Sequence, residues 1–382
     1  MKIAINAIPL LSPLTGIGKY TLEIANEMQR QNSRDDFSYF YGYFSSQLKI
    51  RDWSGSATAQ RQFTEQLKKM HGARRIARLV RNLLSLSFFK TYDLYFEPNF
   101  IPLSIRAKKL VVTVADFSFC EHPEWHPEDR IDYFNRFFWK KIGRADRIIV
   151  ISDYIKRCAV EYGLPEEKLS TVHLGYDREI FHLRDKKLLQ QTRLKYNLPD
   201  QFVLFVGSIE PRKNLQRLLK AYLSLDSELR CLHKLVLVGF KGWENLEVMN
   251  LLKQFKQDVI YTGYITEQEL ADIYNMATLF AYPSLYEGFG LPPLEAMACG
   301  CPVLTSNVTS LPEVCGDAAC YVNPEDEAGI ADELARLLRD SQARAELKKR
   351  GLQRAELFSW ERSAQEHMAV FRQVAEGSGK DD

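Results

Sequence analysis

Short apolar runs alternate with longer stretches in which apolar residues recur every three or four positions, and this alternation passes twice along the chain. Parallel strands joined by amphipathic helices give that pattern, so an α/β fold is expected. In the first cycle Lys2–Ala7 reads as a strand, and Gly16-Ile17-Gly18 opens a helix reaching about Gln29. Phe37–Phe44, Asp93–Glu97, Leu110–Ala115 and Arg147–Ser152 read as further strands, with a helix over Glu128–Arg144. The polar, charge-rich stretch Tyr176–Lys187 reads as a linker. Beyond it, Phe202–Val206, Leu235–Val238, Val259–Thr262, Thr278–Tyr282 and Val303–Thr305 are expected strands separated by helix-length segments. Two doubly wound, Rossmann-like domains over 1–182 and 183–359 follow, with a closing helical segment over 360–382.

Length agrees with two domains, because 382 residues exceed what one ordinary core encloses. Hydrophobic residues at 46% and charged residues at 26% exclude a disordered chain. A net charge of +2 names no partner, and no nucleic-acid module is recognisable. The seven cysteines form no CxxC pair, and Cys299 and Cys301 read as small core residues rather than metal ligands. Met1–Leu11 is apolar but is interrupted by Asn6 and Pro9, and no later run reaches the length of a membrane span. A cytoplasmic protein, free or attached to one membrane face, is expected.

The chemistry concentrates after the strands of the second cycle. Glu287-Gly288-Phe289-Gly290-Leu291-Pro292-Pro293-Leu294-Glu295 places two carboxylates around a glycine-rich turn running into a helix. Glycines allow close backbone approach to a ligand, and free N–H groups at a helix start favour an anion such as a diphosphate. Glu295, about two turns into that helix, could accept hydrogen bonds from ribose hydroxyls. Gly207-Ser208-Ile209-Glu210-Pro211-Arg212-Lys213-Asn214 follows a strand and sets two cations beside a helix start. Cations there oppose the helix dipole unless an anion is bound, which points to phosphate. The loop Leu14-Thr15-Gly16-Ile17-Gly18-Lys19 after the first strand lacks the ending of a Walker loop.

These segments together resemble the retaining family 4 glycosyltransferases of the GT-B fold, over essentially the whole chain. The resemblance implies two domains facing a cleft, an acceptor side in the first, a nucleotide-sugar side in the second, and a last helix crossing back to the first. It implies catalytic roles for Glu287, Arg212 and Lys213, with Arg212 and Lys213 neutralising the diphosphate. Donor contacts are implied for Gly16, Gly18, Asp116, Ser208, Tyr264, Gly288, Phe289, Gly290, Leu291 and Glu295. No metal and no cofactor are implied; a nucleoside diphosphate sugar is the substrate, with GDP-mannose favoured. The partners implied are that nucleotide sugar and a glycan or lipid-linked glycan acceptor, as in bacterial O-antigen and polysaccharide mannosyl- or rhamnosyltransferases. The chain departs from the pattern at Ala115-Asp116, where many relatives carry His-Asp. That departure keeps open a catalytically weak or non-catalytic partner subunit, and a sugar-nucleotide epimerase is the other alternative. His122 and His126 read as surface residues beside Pro123 and Pro127.

One signal lies outside this pattern. Arg61–Lys90 carries eight basic residues, among them Arg74, Arg75, Arg78 and Arg81, against Glu65 alone, with apolar residues at helical spacing. Such a helix suits an anionic membrane surface, and a helix packed on the sheet with a solvated basic side is the alternative. Phe134, Phe137, Phe138 and Trp139 beside Lys140 and Lys141 could extend the same surface.

Overall fold

A computed structural model describes residues 1–12, 16–32, 34–50, 90–239 and 246–377. The basic segment with Arg74, Arg75, Arg78 and Arg81 lies outside them, as do Leu14 and Thr15. The chain forms two compact units: Met1–Phe119, His126–His173 and Trp360–Asp382 make the first, Cys120–Trp125 and Leu174–Ser359 the second. The passage between them falls at His173 and Leu174 rather than near 182, because the stretch expected as a linker is packed onto the second unit. Tyr176 and Phe181 are buried there, and Arg184 pairs with Asp272 at 2.6 Å.

In the first unit, strands β1 (Lys2–Asn6), β2 (Asp36–Phe40), β3 (Phe44–Ser45), β4 (Tyr92–Glu97), β5 (Ala107–Val114), β6 (Arg147–Val150) and β7 (Leu169–Thr171) form one sheet. Its order is β3-β2-β1-β4-β5-β6-β7, parallel throughout except β2 with β3. The apolar run 37–44 is thus two strands and not one. Gly42, in the left-handed region at φ 95°, turns the chain so that Phe40 lies opposite Phe44.

In the second unit, β8 (Phe202–Val206), β9 (Lys234–Val238), β10 (Val259–Gly263), β11 (Leu279–Tyr282), β12 (Val303–Ser306) and β13 (Ala319–Val322) form an all-parallel sheet of order β10-β9-β8-β11-β12-β13. This is the doubly wound order that reverses once, between β8 and β11, and a crevice opens at the carboxyl ends on either side of such a reversal. Both units are Rossmann-like. Cys299 and Cys301 are buried core residues, and no helix among the described residues is long and apolar enough to cross a membrane.

The last helix, Trp360–Glu376, packs on the helix Gly16–Gln31 and on β4 within the first unit. Phe371 meets Phe96 at 5.1 Å between ring centroids. A buried polar chain fixes the contact. His367 Nδ1 lies 2.7 Å from the Ser363 carbonyl, which can only accept, so Nδ1 carries the proton. Nε2 therefore accepts from Tyr20 Oη at 2.6 Å, and Tyr20 in turn accepts from Thr113 Oγ1 at 2.8 Å. Burial pushes the imidazole down to about 4.

Elsewhere in this unit Glu97 is fully buried, and burial pushes its carboxyl up to about 7 despite bonds from Tyr95, Asn6 and Asn99. The two groups act on stability with opposite signs. Lowered in the fold, His367 contributes stability above about pH 6.5 that is lost as pH falls toward 4; Glu97, raised, contributes stability below about pH 4.5 that is lost as pH rises through 7. Each shift is worth roughly 3 kcal/mol. Urea unfolding between pH 7 and 5 should show Glu97→Gln losing stability on acidification more steeply than the parent and His367→Gln less steeply. Parallel profiles for all three proteins would refute the assignment.

Candidate active site

The second unit's switch point is built by two loops. One follows β8: Gly207, Ser208 and Ile209 lead to a 3-10 turn at Pro211–Lys213, and Asn214, left-handed at φ 57°, starts the helix Leu215–Leu223. The other follows β11, from Pro283 to the helix Leu291–Ala298, with Gly290 at φ 114° as its first cap. The positive φ at Gly290 calls for glycine, while a Cβ there would meet only the movable end of the Leu311 side chain, at 2.9 Å. Space is far tighter at Gly239 after β9, where a Cβ would fall 2.1 Å from the Gly207 carbonyl oxygen.

Hydrogen bonds clip the two loops together. Arg212 O accepts from Leu285 N at 2.7 Å, and Ser284 Oγ lies 2.9 Å from the same carbonyl. Asn214 Nδ2 donates to Pro283 O at 2.9 Å and to Pro324 O at 2.7 Å. Ser310 Oγ, placed to serve both, donates to the carbonyls of Glu287 and Phe289 at 2.8 Å each.

Inside this frame lies a buried charge cluster. Glu287 Oε1 accepts from Lys213 Nζ at 2.6 Å, Ser284 Oγ at 2.7 Å and Tyr282 Oη at 2.8 Å. Lys213 Nζ also donates to Tyr282 Oη. On the other carboxylate oxygen, Arg212 Nη1 stands at 3.7 Å, while its Nε donates to Glu210 Oε2 at 2.9 Å. Lys213 and Glu287 are 7% and 6% exposed, so neither charge is stabilised by solvent. Burial alone would raise the Glu287 carboxyl, but the Lys213 and Arg212 charges bring it down to about 2. Burial and the neighbouring guanidinium lower Lys213 in turn. The asymmetry has a simple source: Glu287 faces two cations, whereas Lys213 faces a second cation beside its carboxylates.

The expected site residues distribute as follows. Glu287, Arg212 and Lys213 come together, with Ser208 beside them through its 2.5 Å bond to Glu210 Oε1. Gly288 and Gly290 belong to the same loop, whereas the Phe289 side chain is buried and meets Phe358 edge-on at 5.8 Å. Leu291 begins the helix, which makes Glu295 its fifth residue and places it little more than one turn in, not two. Glu295 is 7% exposed. Tyr264, following the left-handed Gly263 at the end of β10, is exposed.

In the first unit, Gly16 and Gly18 lie in the first turn of the helix Gly16–Gln31. Asp116 accepts from the backbone N and Oγ of Ser118, capping the short turn Ser118–Glu121. His126, expected as a surface residue, is tied to the same hydroxyl at 2.9 Å. Phe134 and Phe138 are core residues and extend no surface, because the helix Glu128–Ile142 turns them inward. Sequence reasoning gave no role to Glu210, Tyr282 or Ser284. Tyr282 ends an expected strand and Ser284 follows a proline; both meet Glu287 within their own stretch of chain, and the pairing of β11 with β8 brings Lys213 to them.

Two Rossmann-like units, with a buried cation–carboxylate cluster at the switch point of the second, give a place suited to an anionic ligand. Residues 14–180 match the family described as Glycosyltransferase Family 4, and residues 189–354 match the family described as Glycosyl transferases group 1. O-antigen chain mannosyltransferase B of Escherichia coli is 34% identical over 371 residues, covering 94% of this chain and 97% of that protein. The serotype-specific mannosyltransferase WbdA of Escherichia coli is 36% identical over 261 residues, covering 65% of this chain and 32% of that protein. Among solved structures, sucrose-phosphate synthase from Thermosynechococcus elongatus superposes with a TM-score of 0.69 at 20% identity, covering 98% of this chain and 99% of that one. WaaG, a glycosyltransferase involved in lipopolysaccharide biosynthesis, gives 0.65 at 16% identity, covering 100% of both chains. The chain belongs to the family 4 glycosyltransferases and has the GT-B fold.

A buried pair of this kind has a measurable signature. Glu287→Gln keeps the side-chain shape but leaves the Lys213 ammonium buried beside Arg212 without its carboxylate. Unfolding stability should fall by about 3 kcal/mol, and Lys213→Met in the same chain should recover much of it. Denaturant titration of the two single variants and the double variant checks this. Additive losses would show that the pair does not hold the loops.

Proposed function

We propose that the protein is a retaining hexosyltransferase that moves mannose, or a similar hexose, from a nucleoside diphosphate sugar to a lipid-linked glycan acceptor in surface-polysaccharide synthesis. GDP-mannose is the favoured donor. The observation that carries the reading is the Arg212–Lys213–Glu287 cluster at the carboxyl ends of β8 and β11. Likeness along nearly the whole chain to an O-antigen mannosyltransferase narrows it to that sugar and product class.

In this reading Arg212 and Lys213 stabilise charge that develops on the diphosphate as the sugar–phosphate bond breaks, a task two fixed cations can perform without a divalent ion. Glu287, held ionised, faces the positive charge that grows at the anomeric carbon. Glu295 holds the ribose. The new bond forms on the face the nucleotide leaves.

Saturation-transfer NMR or calorimetry with GDP-mannose, UDP-glucose and dTDP-rhamnose tests the donor. Arg212→Ala should weaken nucleoside diphosphate binding by roughly 2 kcal/mol or more and slow transfer, with rates unchanged by a chelator. Equal affinity in the variant and the parent would remove the phosphate assignment. Ala115 gives the second reading its one support. An epimerase would convert donor without acceptor, and a partner subunit would bind donor and turn nothing over.

The basic segment Arg61–Lys90 extends the proposal to a cytoplasmic enzyme resting on the inner membrane face. Each basic residue near an anionic surface contributes about 1 kcal/mol, and salt weakens it. Vesicle co-sedimentation should recover the parent with anionic but not neutral lipid, and a variant with Arg74, Arg75, Arg78 and Arg81 all changed to Gln should stay in solution. Equal recovery of both proteins would leave the segment a solvated surface.

A further inference from the structure

Four charged side chains meet at the end of β8, and their formal charges cancel: Arg212 and Lys213 against Glu210 and Glu287. A site whose only task was to attract a diphosphate would not carry two carboxylates. Glu287 has a place in the proposed reaction; Glu210 has none. Yet Glu210 is firmly placed. Its Oε1 accepts from Ser208 Oγ at 2.5 Å and its Oε2 from Arg212 Nε at 2.9 Å, with the side chain 27% exposed. Burial opposes its ionisation, but the Arg212 charge and the two hydrogen bonds overcome this and hold the carboxyl below its usual range.

We propose that Glu210 is a specificity-determining residue that offsets the Arg212 charge felt by the bound diphosphate and so favours the sugar nucleotide over the nucleoside diphosphate product. This rests on the reading that Arg212 and Lys213 hold the diphosphate. In the sugar nucleotide each phosphate is a diester with one charge. Once the sugar has left, the terminal phosphate regains a second ionisation near pH 6, so the product carries nearly one charge more. Two cations alone would hold that product more tightly than the substrate and delay its release, a step that limits turnover in many enzymes. A carboxylate fixed on the same guanidinium repels the product's extra charge more than the singly charged ester and so eases release. Ser208 keeps the carboxylate from swinging away into solvent.

An alternative role, in which Glu210 only orients Arg212, predicts the opposite sign. Calorimetry with GDP and with GDP-mannose, or with UDP and UDP-glucose where the donor screen selects that pair, separates the two. Glu210→Gln can keep its amide oxygen on Arg212 Nε while its amide nitrogen donates to Ser208 Oγ, and it should bind the nucleoside diphosphate about tenfold tighter while the sugar nucleotide gains much less. Inhibition by added product in the transfer assay should strengthen in parallel. Glu210→Ala, which does not rely on the amide, should shift the ratio the same way. Unchanged or weaker diphosphate binding in both variants, with melting temperatures showing both folded, overturns the inference. If Arg212→Ala also leaves diphosphate affinity untouched, the phosphate reading of the whole cluster fails with it; if Arg212→Ala weakens it, only the role of Glu210 is lost.

Discussion

The buried pair between Lys213 and Glu287 is the interaction on which the second unit's site depends. Removing two charges from water costs several kcal/mol per ion, and mutual attraction offsets this only where the remaining polar atoms are satisfied. The structure meets that condition with Tyr282 and Ser284, which complete the bonds to Glu287 Oε1. Those two residues stand on the β11 side of the sheet's reversal and Lys213 on the β8 side. The pair therefore holds only while the two crossovers keep register. Loop geometry, glycine placement and the clips from Asn214 and Ser310 serve that one requirement.

The first unit shows what the same topological place becomes with different neighbours. Asn6 ends β1 and Glu97 ends β4, on either side of that sheet's own reversal, and Asn6 Nδ2 donates to both carboxylate oxygens at 2.9 Å. With an amide and a phenol as side-chain hydrogen-bond partners instead of cations, burial dominates and Glu97 rises to about 7, whereas Glu287 falls to about 2. Two buried carboxyls, one at the end of β4 and one in the loop after β11, are thus pushed apart by their partners. The group with cations beside it suits an anionic ligand, and the other ties its own loops, with Asn99 N and Tyr95 Oη as donors.

Much of this was readable from the chain. Parallel strands announce themselves as apolar runs, since both faces are covered, and the runs at Phe202–Val206 and Val303–Thr305 needed no partner to be recognised. The edge strand β7, of three residues, was too short to signal, and β13, though as long as β12, is only half-buried at its centre and was not read. Arg212, Lys213 and Glu287 were legible because cations before a helix and carboxylates around glycines break the ordinary pattern of a solvated surface. Tyr282, Ser284 and Glu210 were not. Their bonds to Glu287 and Arg212 span two to five residues, but what those bonds serve is set by Lys213 arriving from the neighbouring strand end, which no local property of Tyr-Pro-Ser or Ile-Glu-Pro encodes. Asp116 and His126 failed in the same way, their link running through Ser118.

Arg212 and Lys213 are neighbours in sequence but are not equivalent in the fold. Lys213 is buried and committed to Glu287 and Tyr282, so its charge is spent largely inside the protein. Arg212 is 28% exposed, and its contact with Glu287 is the looser one at 3.7 Å. A guanidinium presents five donors in a planar fork, so it can keep Nε on Glu210 while its terminal nitrogens turn to a phosphate. An ammonium at that position would offer its donors from a single nitrogen rather than from a spread fork. The order of the two residues therefore has a physical reason: the compact cation fits beneath the loop against Glu287, and the forked one reaches the surface where an anion arrives. Exchanging them would bury the larger, more donor-rich group where two acceptors await it, and would leave the exposed place to a point charge without the planar fork that matches a phosphate.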